Sequence, residues 1–316
     1  MQLKLALIAA LGCLTSLAVA QQGADEKLGT VMLTSQDGKW DIRSLGKDVY
    51  VFRWNPDFYQ SLFVVTPREV LVVDPLGPVA APYYREAVRR ITSAPITKVV
   101  YSHSHRDHIG GAAELAPGAE IIAHVNARNR IIARGDKDVP VPTRTVGDGD
   151  VIRVGTKQIH VRYFGPTHSD SLIALTVDTG IGKLLMFVDA IEPGIPPYRN
   201  MGEDSVDGSI AALEGAARLN VDAVMGGHTG PAPGIWVARY RDYLKDLLAA
   251  TRVAWASADT VARPGEDGIR ANERIIAAVT HAAAASIRSK YSDWRGYDIW
   301  APMNAERMLV YIQTGD

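Results

Sequence analysis

An apolar, β-branched run, Ile96-Thr-Lys-Val-Val-Tyr101, passes without a break into Ser-His103-Ser-His105-Arg-Asp107-His108-Ile-Gly110-Gly111. The run follows Pro95 and has the composition of a buried strand, and Gly110-Gly111-Ala-Ala-Glu-Leu reads as the start of a helix. The chain must therefore turn from strand to helix while holding three imidazoles and a carboxylate. The carboxyl end of a strand is where open α/β sheets place their ligand-binding crevices. A solvated loop with incidental histidines is the competing explanation, and it demands nothing of the rest of the chain.

A metal centre does make a demand: further ligands, each at a turn that follows an apolar strand. Three positions answer it. His168 lies in Phe164-Gly-Pro-Thr-His-Ser-Asp170, behind the run Ile159-His-Val-Arg-Tyr-Phe164. Asp189 closes Lys183-Leu-Leu-Met-Phe-Val-Asp189, and His228 follows Val224-Met-Gly-Gly, where the glycines let backbone crowd a site. Singly each is weak, since a lone histidine is more often structural and a strand-terminal Asp is usually a cap or turn former. Their order behind the first cluster is hard to attribute to accident. His124, His160 and His281 lack this setting; His160 reads as a strand side chain and His281 as part of an Ala-rich helix.

In this order the residues resemble the metallo-β-lactamase-fold hydrolase superfamily, over roughly residues 45 to 230. His103-Ser-His105-Arg-Asp107-His108 matches its His-x-His-x-Asp-His motif, and His168, Asp189 and His228 match its later ligand positions. Asp74, at the end of Glu69-Val-Leu-Val-Val-Asp74, matches the acidic residue that supports the site from behind the ligands. The resemblance implies an α/β fold of αββα sandwich type. It implies that His103, His105 and His168 hold one ion and Asp107, His108 and His228 a second, with Asp189 bridging both. Two Zn²⁺ are the expected cofactors, with Fe or Mn as alternatives, because imidazole suits zinc in open sites and carboxylate oxygen tolerates bridging. Two such ions about 3.5–4 Å apart supply hydroxide near neutral pH without a protein nucleophile. Asp107 is then the expected catalytic group, orienting the hydroxide and passing a proton to the leaving group.

The N-terminus reads as an export signal over residues 1–20: Lys4, an apolar core, and Ala18-Val-Ala20 as the cleavage site. A membrane anchor and a lipoprotein processed at Leu11-Gly12-Cys13 are the alternatives, the first disfavoured by the short apolar length. Export places the protein in the periplasm. Cys13 is the only cysteine, so a processed chain has neither disulfides nor Cys-based zinc sites, and its stability must come from an ordinary core. A net charge of −1 and the lack of a basic stripe give no case for nucleic acid, which leaves a small molecule as the partner. No stable membrane insertion is expected, and oligomerisation stays open.

Residues 21–44 read as a polar, Gly-rich lead-in to a single domain spanning 45–316. Strands are expected at Asp48–Arg53, at Ser61–Val65, and in the run ending at Asp74. A helix is expected from Ala80 to Thr92, a strand at Glu120–His124, helix then loop from Arg128 to Pro142, and a turn at Gly147-Asp-Gly-Asp150. Strands and helices alternate, then repeat the alternation after about residue 145, as two halves packing sheet on sheet under outer helices would require. C-terminal helices follow over about 235–300: an amphipathic one from Ile235 to Ala256 and an Ala-rich one from Glu266 to Lys290. The aromatic segment Tyr291–Trp300 could line a pocket, seal the core or form a dimer contact.

Fold alone does not choose a substrate. Zinc β-lactamases carry Cys or Ser at the bridging position, so Asp189 favours an ester, thioester or lactone hydrolase, with β-lactamase-like amide cleavage second. A periplasmic metal or redox accessory protein is the third alternative, against which the His-rich ligand set stands. The loop Glu192-Pro-Gly-Ile-Pro-Pro-Tyr198-Arg199-Asn-Met201 directly follows Asp189 and is expected to form a pocket wall. Tyr198 could donate to a developing oxyanion and Arg199 could meet a substrate carboxylate, or both could be incidental turn residues.

Overall fold

A computed structural model describes residues 28–315. The expected export signal and Cys13 lie outside that range. Eight strands form one sheet in chain order: β1 (Thr30–Thr34), β2 (Trp40–Ser44), β3 (Val49–Trp54), β4 (Tyr59–Val65), β5 (Val70–Val73), β6 (Ile96–Val100), β7 (Glu120–His124) and β8 (Arg144–Val146). Pairing is antiparallel from β1 to β5 and parallel from β5 to β8. A second sheet is ordered β14-β13-β12-β11-β10-β9, built from β9 (Val151–Val154), β10 (Lys157–Arg162), β11 (Ala174–Asp178), β12 (Lys183–Met186), β13 (Ala223–Met225) and β14 (Ala232–Pro233).

The unbroken apolar run Val70-Leu-Val-Val has a direct cause: both faces of the first sheet are covered. Leu71 and Val73 join Val49, Val51, Leu62, Val64, Val100 and Ile122 against the second sheet's Ile159, Val161, Leu175 and Val177. Val70 and Val72, with Phe52, Phe63 and Val99, face outward onto Tyr84 of helix α2 (Ala81–Ile91), whose ring stacks 4.2 Å from that of Phe52. This helix is the crossover that makes β5 and β6 parallel. Short helix α1 (Asn55–Phe58) sits at the β3–β4 turn. Beyond α2 come α3 (Arg106–Ile109), α4 (Ala112–Leu115) and α5 (Val125–Arg134).

On the far side, α6 (Val206–Ala217), α7 (Trp236–Ala256), α8 (Gly268–Tyr291) and α9 (Tyr297–Thr314) cover the second sheet, giving helix–sheet–sheet–helix layering. α7 and α8 match the expected helices to within a few residues. α9 extends beyond the expected limit near 300 and carries Pro302 inside it. Tyr291, Trp294 and Tyr297 are buried, and Trp294 packs on Trp236, Tyr240, Tyr243 and Tyr291. The aromatic segment therefore seals the core among α7, α8 and α9. Among the described residues no helix is long and apolar enough to cross a membrane.

The structure differs from expectation over 30–44, where β1 and β2 replace a lead-in. Trp40 and Ile42 alternate with polar residues and are buried against the outer helices, and Gly38, at φ +70°, turns the hairpin. The polar stretch hid a strand pair because β1 is an exposed edge with little to bury.

Candidate metal centre

Four strand ends of the two sheets converge. β6 releases Tyr101–His105 and then α3, which carries Asp107 and His108. β10 leads to His168, β12 to Asp189 and β13 to His228. The last turn needs its glycines. A Cβ at Gly227 would lie 2.6 Å from His108 Cε1, and one at Gly226 would lie 2.2 Å from Glu192 Oε1.

All seven sequence-derived positions meet around one carboxylate. Asp189 Oδ2 is 3.5 Å from His103 Nε2, 3.2 Å from His108 Nε2 and 3.3 Å from His168 Nε2, while Oδ1 is 3.2 Å from His228 Nε2. His105 Nδ1 faces His168 Nε2 at 3.2 Å, and Asp107 Oδ2 lies 3.5 Å from His108 Nε2. The donors fall into two groups, one of His103, His105, His168 and Asp189, the other of Asp107, His108 and His228, each with its atoms within 4.8 Å of one another. Asp189 has φ +60°, a left-handed conformation that Asp adopts more readily than most residues.

Behind these atoms, four of the five rings are held by a hydrogen bond at their other nitrogen. Ser102 N and Oγ donate to buried Asp74 at 2.7 and 2.6 Å. With its proton committed there, Ser102 Oγ accepts from His103 Nδ1 at 2.9 Å. Asp74 Oδ2 also lies 3.5 Å from His108 Nδ1. His228 Nδ1 donates to the Phe58 carbonyl at 2.6 Å. His105 Nε2 meets Glu203 at 2.8 Å and His168 Nδ1 meets Asp204 at 3.0 Å.

The inward-facing atoms are another matter. His103 Nε2, His108 Nε2 and Asp189 Oδ1 are buried with no hydrogen-bond partner, a costly state unless something binds them. Burial pushes His103 well below the usual imidazole range, aided by the charge on His108. Burial would raise the Asp189 carboxyl, but His108 and the other imidazoles hold it well below the usual range. Burial likewise opposes the charge on His168, yet Asp204 and Asp189 outweigh it and raise that ring to about 9. An ionised carboxylate ringed by imidazole nitrogens, most of them oriented by a hydrogen bond on the far side, suits divalent cations.

Several residues at the site carried no readable signal. Glu192 is buried and accepts from Gly227 N at 2.8 Å, Thr229 Oγ at 2.8 Å and His228 N at 3.2 Å, with Asp189 N at 3.3 Å, so it ties two ligand-bearing turns together. Its place three residues after Asp189 was the only available clue. Tyr59 donates to Asp107 Oδ2 at 3.3 Å and lies with its ring 4.8 Å from that of His228. Tyr198, by contrast, is 68% exposed and packs edge-on against Trp300, and exposed Arg199 is held through its carbonyl by Asn304; neither bonds to any of the seven. His124 caps α5 and stacks on Tyr163, while His160 and His281 are exposed on a strand and a helix.

The family profile of the metallo-beta-lactamase superfamily matches residues 54–228, more than half of the chain and all seven positions. The chain belongs to the metallo-beta-lactamase superfamily. Two solved members share the fold: a metallo-beta-lactamase from Pontibacter korlensis, at TM-score 0.56 and 14% identity over 66% of this chain and 99% of that one, and the metallo-beta-lactamase IND-7, at TM-score 0.57 and 15% identity over 67% and 100%. Among curated superfamily relatives, the chain is 29% identical over 121 residues to the alpha subunit of a 2,4-dinitroanisole O-demethylase of a Nocardioides species, covering 37% of each. It is 38% identical over 108 residues to a hydroxyacylglutathione hydrolase of a Polaromonas species, covering 32% of this chain and 36% of that one. The chain thus spans little more than a third of the length of these relatives.

Proposed function

We propose that this superfamily hydrolase is an exported enzyme that cleaves the ester, thioester or lactone carbonyl of a small molecule, with two Zn²⁺ held by the seven side chains. The single observation that carries the choice of bond is the carboxylate at the shared position: Asp189, not Cys or Ser, touches donors of both groups. The Polaromonas relative, named for hydrolysis of an acyl-glutathione, supports a thioester or ester. Export rests on the sequence of residues 1–20.

His103, His105 and His168 would hold one ion, Asp107, His108 and His228 the other, and Asp189 both. When bound, the ions supply a Lewis acid for the carbonyl oxygen and bring a water's pKa toward neutrality. The protein's own contribution is positional. Asp107 is exposed at the mouth of the cluster, so its carboxylate takes the proton of the attacking water and returns it to the departing oxygen or sulfur. The Tyr59 hydroxyl occupies one lone pair of Oδ2 and limits the orientations open to Asp107. Phe58, exposed beside the His228 turn, and Tyr59 offer an apolar wall next to the cluster.

Asp107→Asn keeps the shape but cannot take the proton, so turnover is expected to fall about 10²–10⁴-fold with the melting temperature little changed. The test is a substrate panel run on metal-quantified protein: an acyl-lactone, an aryl ester, an acyl-glutathione and a chromogenic β-lactam. Turnover concentrated on the first three, and lost in Asp107→Asn, is the expected outcome. Turnover on the β-lactam alone would replace this reading with amide cleavage.

A further inference from the structure

We propose that Glu203 and Asp204 are positioning residues for the His103–His105–His168 group, and that α9, outside the matched superfamily region, holds them in place. The proposal rests on the reading of the cluster as a metal centre. These consecutive carboxylates back two different histidines, Glu203 at 2.8 Å from His105 Nε2 and Asp204 at 3.0 Å from His168 Nδ1. Each takes the ring nitrogen remote from the cluster. In the neutral, metal-binding form each ring is thereby held in the tautomer that leaves a lone pair on His105 Nδ1 and His168 Nε2, the atoms that face each other at 3.2 Å.

The loop carrying these carboxylates has no strand to fix it. Arg199 and Met201 in it have φ +50° and +51°, conformations that non-glycine residues hold only when their surroundings enforce them. One face of α9 does so, through residues spaced three and four apart. Asn304, fully buried, donates to the carbonyls of Pro197 at 2.9 Å and Arg199 at 2.5 Å, and its own oxygen accepts from Tyr243 at 2.7 Å. Arg307 donates to the Asp204 carbonyl through Nε at 3.0 Å and Nη2 at 2.8 Å. Tyr311 donates to Asp207 at the start of α6. A continuous series of bonds thus runs from the C-terminal helix to the His168 ring.

The second group is held differently. His228 leans on a neutral carbonyl and His108 lies 3.5 Å from Asp74. Weakening the loop should therefore affect one ion and spare the other. Burial ranks the two carboxylates: the Asp204 side chain is 10% exposed and that of Glu203 63%, so water replaces Glu203 more readily.

The test strips the full-length protein with a chelator, titrates it with Co²⁺, and then competes with Zn²⁺. Binding stoichiometry, per-site affinity and the visible Co²⁺ spectrum are read, with circular dichroism to verify folding. Wild type is expected to take two ions. Asp204→Ala is expected to weaken one of them about 10–100-fold and shift its spectrum, whereas Asp204→Asn, which keeps an acceptor oxygen, restores most of the affinity. Arg307→Gln should act in the same direction and Arg307→Lys recover it, with Glu203→Gln below tenfold. If Arg307→Gln does not fold, the Asp204 pair decides alone. Two ions bound by the folded Asp204 variants with wild-type affinity and spectrum would overturn the proposal, as would equal weakening of both ions. A wild type that takes no ion would overturn the metal reading itself, and the proposal with it.

Discussion

Replacing Asp189 with alanine is expected to leave a folded protein that binds metal poorly and has lost turnover on the order of 10³-fold or more, above the usual cost of removing one electrostatic stabiliser. The reason is geometric. One carboxylate lies 3.2–3.5 Å from nitrogens of both donor groups, so no other side chain substitutes for it. Stability should change less. Ala at φ +60° costs about 1–2 kcal/mol, partly offset because a buried carboxylate with an unpaired oxygen disappears. Asp189→Asn, which tolerates the same backbone, separates conformation from charge. Metal content and kcat measured side by side check the prediction, and turnover within tenfold of wild type would refute it.

Glu192→Ala is expected to have the largest effect on stability, although Glu192 is not among the seven. Its carboxylate accepts from Gly227 N, His228 N, Asp189 N and Thr229 Oγ. Alanine would leave these donors buried without partners, at about 1–3 kcal/mol for each that water does not reach. A total of about 3–5 kcal/mol follows, since the cavity admits some water, and the melting temperature should fall by about 10 °C. Burial pushes the Glu192 carboxyl up, as does the nearby Asp189 charge, so the group is held by its donors against an electrostatic cost. Because those donors belong to the turns bearing Asp189 and His228, metal affinity should fall with stability. Thermal melting with and without Zn²⁺ measures both. An unchanged melting temperature would mean that the turns hold themselves.

The seven positions that cluster were legible because each comes soon after a strand with a buried apolar stretch, Val99-Val100 in β6, Leu184–Met186 in β12 and Ala223–Met225 in β13, or after the alternating strand β10. Short apolar stretches such as Val99-Val100 and Leu184–Met186 make a polar residue that comes soon after them stand out. Asp74 was legible for the same reason. Glu203 and Asp204 were not, because an irregular loop has no period and their partners, His105 and His168, lie far away in sequence. Tyr198 drew notice by following Asp189 closely, yet the chain turns it outward onto Trp300. The hairpin of β1 and β2 was hidden by its exposed edge, and α9 by Pro302 and by the polar Asn304 set among the residues it buries, Tyr297, Ala301, Ala305 and Met308.

The most direct test is crystallographic, on Zn²⁺-loaded protein with data collected on both sides of the zinc absorption edge. A dinuclear centre requires two anomalous peaks per chain, one among His103, His105 and His168 and one among Asp107, His108 and His228, with Asp189 oxygen in contact with both. No peak at these side chains in zinc-saturated crystals, or zinc bound only elsewhere on the surface, would contradict it.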